Sequence, residues 1–68
     1  MIEIKIKDEY IKLCQLLKLA GLVSSGVEAK IVINEGEVLY NGEVELRRGK
    51  KVYPGDSVEF DGEIVKVI

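Results

Sequence analysis

With 68 residues, 47% of them apolar, the chain can bury one small core and has no room for a second domain or a large catalytic cleft. Charged residues of both signs make up 32% of the sequence and aromatics only 6%, which excludes a disordered polyelectrolyte, and the absence of a long apolar run excludes a membrane-spanning helix. The net charge is −2, which argues against uniform electrostatic attraction to nucleic acid.

One soluble domain over residues 1–68 is therefore expected. The N-terminus lacks the basic-then-apolar pattern of a secretion signal, which makes the cytoplasm the expected location, with no membrane partner. Cys14 is the one cysteine and histidine is absent, so an internal disulfide is ruled out and no metal, cofactor or small-molecule substrate is expected. No nucleophile–base pair or phosphate-cradling glycine motif stands out, so no enzyme is expected.

From Met1 to Lys7, isoleucines at 2, 4 and 6 alternate with charge, the period of a half-buried strand. Asp8 is expected to cap a helix whose apolar positions Tyr10, Leu13, Leu16, Leu17 and Ala20 recur at spacings of three and four, ending at Gly21. Ser25 and Glu28 have the spacing of a capping box, opening a second helix through Ala29, Val32 and Ile33 to Gly36. Beyond Gly36 the period changes to two. Asn41-Gly42 suits the tight turn of a hairpin, with Val38 and Tyr40 before it and Val44 and Leu46 after it. Further turns are expected at Tyr53-Pro54-Gly55-Asp56 and Asp61-Gly62, the latter separating Ser57–Phe60 from Glu63–Ile68.

These elements predict an α+β fold: two N-terminal helices packed on a small, mainly antiparallel sheet, with an extra N-terminal strand. The apolar ends of the chain are expected to pair or lie adjacent. Ala29, Ile33, Val38 and Val44 are expected in the core, Asn41 serves as a turn former, and Tyr53 is expected to pack over the sheet edge.

Charge is segregated along the chain. Residues 46–55 carry Arg47, Arg48, Lys50 and Lys51 with no acid, and residues 10–34 carry Lys12, Lys18 and Lys30 against Glu28 alone. The acids gather around the first hairpin and in the last. If Lys30 and the 47–51 cluster share a surface, that surface acts as a local cationic patch whatever the total charge. On composition alone, a solvated loop kept polar for solubility accounts for the cluster equally well.

The string Ser25, Ala29-Lys30, Ile33, Gly36, Val38, Asn41-Gly42 resembles the alpha-L RNA-binding motif, the small domain named after ribosomal protein S-four. The basic stretch that follows, then Val52, Pro54-Gly55-Asp56 and Val58, is similar to the family's closing turn and strand. The resemblance covers a motif core of about residues 9 to 60. Ser24-Ser25-Gly26 departs from the family's serine followed by arginine and looks closest to its small free-standing members. The resemblance implies a non-catalytic protein that binds structured RNA, ribosomal RNA or transfer RNA, with a role in large ribosomal subunit maturation.

Physically, a helix N-terminus at Ser24, Ser25 and Gly26 offers amides to a phosphate. Lys30 follows one turn later, and the basic loop supplies further cations. Ser24, Ser25, Lys30, Arg47, Arg48, Lys50 and Lys51 are accordingly the candidate RNA contacts, with Lys18 an outlying addition. The alternative is a protein–protein interaction module that uses the acidic hairpin within the translation or replication machinery.

Overall fold

The computed structural model describes residues 1–68. Strand β1 (Ile2–Ile4) leads through a short connection to β2 (Ile11–Lys12) and helix α1 (Leu13–Leu19), and α2 (Gly26–Asn34) follows. Strands β3 (Val38–Tyr40), β4 (Glu43–Val44), β5 (Lys51–Val52), β6 (Ser57–Phe60) and β7 (Glu63–Val67) complete the chain. The main sheet has the order β1-β7-β6-β3-β4, antiparallel except where β1 runs parallel to β7, and β2 pairs with β5 in a separate ladder.

The alternation in each strand decides which face it buries. Ile2 and Ile4 lie opposite Val65 and Val67, Val58 pairs with Val65, and Tyr40 and Val38 lie beside Val58 and Phe60. Cross-strand partners share a face, so these residues form one apolar surface, and Leu13, Leu16, Leu17, Ala29 and Ile33 join it in a single core. The expected contact of the chain ends is therefore met by β1 and β7, and Ile6 and Ile68 extend it with a backbone hydrogen bond of 3.1 Å.

Both helices end in the same way. Gly21 and Gly36 each have φ of +76°, and the residue after each glycine donates its amide back into the last turn, Leu22 to the Leu17 carbonyl and Glu37 to that of Val32. This is the glycine-terminated cap that the sequence pattern predicts.

Two expectations are corrected. Asp8 does not cap the first helix. Residues Ile11 and Lys12 are extended against Val52 and Lys51, and the helix begins at Leu13 with Lys12 as its last non-helical residue. Pairing with a distant strand outcompetes one extra turn of a short helix, and Tyr10 fits an apolar spacing in either conformation.

Val44 is not in the core. The two-residue turn at Asn41-Gly42 places Val44 opposite Leu39 and Glu43 opposite Tyr40, so Val44 lies on the face away from Val38 and Tyr40 and is 57% exposed. Leu46 is equally exposed and lies outside β4. The turn length that was legible in the sequence already dictates this parity.

Leu16 is fully buried within the core cluster. Leu16→Ala is expected to cost about 2–5 kcal/mol, read as a lower urea midpoint at unchanged m value.

Candidate nucleic-acid interface

The basic loop is built onto the start of α1. The first two helical amides, of Leu13 and Cys14, donate to the carbonyls of Lys50 (2.9 Å) and Arg48 (3.1 Å), and Lys50 N–H closes a turn on the Arg47 carbonyl (3.2 Å). Amides that a helix start leaves without intrahelical partners are thus satisfied by the loop, which holds the loop in place.

The ladder of β2 and β5 sets Lys12 directly opposite Lys51, both exposed. Like charges across a ladder cost stability, and a bound anion would relieve that repulsion. Lys12 is among the cations of residues 10–34 but not among the candidate contacts, because nothing local predicts its pairing with a residue thirty-nine positions later.

Tyrosines underlie the lysines. Lys51 Nζ lies 4.8 Å from the centre of the Tyr10 ring, and Lys50 Nζ lies 4.8 Å from that of Tyr40, within cation–π range. Tyr10 and Tyr53 meet with ring centres 5.9 Å apart and planes tilted by 52°. Arg47, Gly49, Lys50, Lys51 and Tyr53 line an open recess. Tyr53 packs against the Tyr10 ring and remains 39% exposed.

The loop's second anchor is Asp56. Its carboxylate accepts hydrogen bonds from Tyr40 Oη (2.6 Å), the Tyr53 amide (2.9 Å) and Asn41 Nδ2 (3.2 Å). Asn41 Oδ1 in turn accepts from the Ser57 amide at 2.8 Å, so Asn41 joins two turns as well as forming one. Partial burial pushes the Asp56 carboxyl up, but the hydrogen bonds together outweigh it and hold it below its ordinary value. The same bond to Asp56, followed by burial, raises the Tyr40 phenol to about 12.

The candidate contacts differ in what already occupies them. Arg47 forms a forked ion pair with Glu45, Nε to Oε2 at 2.8 Å and Nη2 to Oε1 at 3.2 Å, and this pairing pulls the Glu45 carboxyl down to about 2. Arg48 makes no side-chain hydrogen bond or ion pair and is exposed.

At the start of α2, Ser25 Oγ accepts from the Glu28 amide (3.1 Å), the first half of the expected capping box. The second half is shifted by one residue. The Glu28 carboxylate accepts from the amide (2.6 Å) and hydroxyl (2.9 Å) of Ser24 instead of reaching the Ser25 amide, and the Ser24 amide bond is the main reason its pKa is lowered. An anion of the protein itself therefore sits beside the helix start. Lys30 is exposed on α2.

A family model described as an S4 domain matches residues 4–68. YbcJ of Escherichia coli (strain K12) is 45% identical over 62 residues, covering 91% of this chain and 89% of that protein. RlbA of Bacillus subtilis (strain 168), named as a probable ribosome maturation protein, is 51% identical over 59 residues, covering 87% of this chain and 83% of its own. The solution structure of Escherichia coli YbcJ, described as revealing an alpha-L motif involved in RNA binding, superimposes with a TM-score of 0.77 at 42% identity, covering 100% of this chain and 87% of that one.

The Tyr40–Asp56 bond has a readable signature. In the native protein one tyrosine should ionise near 12, and in Asp56→Asn that step should move toward the ordinary value of about 10, followed by phenolate absorbance. Because the folded-state phenol is raised, its contribution to stability is complete below its unfolded pKa and is lost as pH rises through the folded one. The lowered carboxyl of Asp56 acts oppositely: its contribution is present above the ordinary carboxylate pKa and is lost as pH falls through the folded value.

Proposed function

The chain belongs to the S4 domain family, and we propose that it is a non-catalytic RNA-binding protein that grips the backbone of structured RNA with its basic loop. The carrying observation is the acid-free run Arg47–Lys51 docked on the start of α1, where Lys12 is brought opposite Lys51. A loop backbone held in place presents its cations to a phosphate backbone without itself having to be ordered on binding, which lowers the entropic cost of contact.

Within the loop, the exposed Arg48 and Lys51 carry the contact together with Lys12. Lys50 is half-buried over Tyr40, and Arg47 shares its charge with Glu45; these two shape the loop as much as they attract an anion. Ser24, Ser25 and Lys30 on α2 are secondary contacts in this reading, because the Glu28 carboxylate weakens the pull of the helix start on a phosphate. Recognition of this kind reads shape, phosphate and 2′-hydroxyl rather than a base code.

The RNA proposed is ribosomal, bound during maturation of the large subunit. The likeness to RlbA, named as a probable ribosome maturation protein, supports ribosomal RNA over transfer RNA.

Binding to fluorescently labelled ribosomal RNA fragments should weaken with salt by a logarithmic slope of about 0.7 to 0.9 for each phosphate neutralised. Reversing Arg47, Arg48, Lys50 and Lys51 to glutamate should lower affinity by at least about a hundredfold, while Lys66→Glu, on the outer face of the sheet, should leave it nearly unchanged. Equal affinity of the loop variant and the native chain would sink the assignment. Partners that survive both nuclease treatment and loop reversal would point to the acidic hairpin instead.

A further inference from the structure

A second recess lies beside the loop. The connection from β1 to β2 passes along α1 and leaves a shallow, open groove between them. Lys5, Lys7 and Lys18 stand around it, with Asp8 as the one acid among its lining residues. Its floor is apolar: Ile6 and Ile11 are half-buried, and Leu19 is 59% exposed.

Three lysines around an apolar floor give the groove a cationic rim. Its chemistry fits a ligand with an anionic strand and flat apolar faces. The groove also continues the loop surface. Tyr10 lines it and carries Lys51 over its ring, and Tyr10 touches Tyr53, which lines the loop recess. The two recesses meet at this pair of rings.

We infer that the groove binds an unpaired stretch of RNA flanking the folded RNA held by the basic loop. Phosphates lie along Lys5, Lys7 and Lys18, and a base sits on the floor of Ile6, Ile11 and Leu19 beside Tyr10. A paired helix cannot use this floor, because its bases are stacked inside; only an unpaired base presents a free face. The connection between β1 and β2 thereby widens the interface and selects a junction between paired and unpaired RNA. The inference rests on the RNA-binding reading above and concerns where the next nucleotides of the same molecule go.

The test uses the full chain and two RNAs, a blunt stem-loop and the same stem-loop with an unpaired uridine tail. The methyl signals of Ile6, Ile11 and Leu19 report the groove, and the amide signal of Gly49 reports the loop. The tailed RNA should shift both sets and the blunt RNA only Gly49, with the tail raising affinity on the order of tenfold. Lys5→Glu with Lys7→Glu should abolish that gain and leave blunt binding within about twofold. Glutamine at the same positions should remove most of the gain without adding repulsion.

Silent groove methyls with a responsive Gly49 would overturn the groove while the loop assignment stands. Responsive groove methyls with a silent Gly49 would overturn the loop and keep the groove. Silence at both would remove both. Equal losses for blunt and tailed RNA in the groove variants, or groove shifts with an acidic peptide and none with the tail, would also overturn the inference.

Discussion

The docking of the basic loop onto the start of α1 is the constraint on which the rest of the surface depends. Two amides that a seven-residue helix cannot satisfy internally find the carbonyls of Arg48 and Lys50. A buried or half-buried amide without a partner is costly, so this pair of hydrogen bonds joins the N-terminal helix to a loop near the other end of the chain. Once they form, Ile11 and Lys12 have Val52 and Lys51 as neighbours, and the rings of Tyr10 and Tyr53 meet. A flexible run of five residues becomes a shaped surface with cations at set positions.

The acids explain how a chain of net charge −2 can present such a surface. Several of them are engaged in the protein's own hydrogen bonds. Glu45 is held by Arg47, Asp56 gathers Tyr40, Tyr53 and Asn41, and Glu28 holds Ser24 beside the start of α2. Asp56 is the most consequential. It ties the turn after β5 to the first hairpin and fixes the ring on which Lys50 rests. Other acids, such as Glu3 and Glu59, lie on the outer face of the sheet, away from the helices. Charge is thereby separated by the fold, and screening over about ten ångström lets each face act nearly independently.

Tyrosine has a dual part in this surface. Tyr40 and Tyr53 bond through hydroxyl and backbone to Asp56, while Tyr10 joins the loop recess to the groove beside α1. Each ring covers the aliphatic stem or ammonium of a lysine, or another ring, which limits the freedom of long side chains that would otherwise lose entropy on binding. The surface is preorganised by ordinary packing.

Most of the architecture was legible in the sequence. Periods of two and of three to four, glycines at 21 and 36, and the Asn41-Gly42 and Asp61-Gly62 turns are local signals, because each reports the conformation of its own few residues. The resemblance to the S-four-type domain, carried by Ser25, Ala29-Lys30 and the residues to Asn41-Gly42, agrees with the family match and the α+β fold. The period-two pattern placed Val44 in the core, whereas the length of its turn puts it on the exposed face. The start of α1 and the pairing of Lys12 with Lys51 were not legible, since both depend on a strand thirty-nine residues away, and sequence spacing carries no term for distant backbone partners. The basic run itself was legible as a row of charges. Which cation is free, which rests on a ring and which is held by an acid was decided by the tertiary structure alone, because those states depend on neighbours that only folding brings within a few ångström.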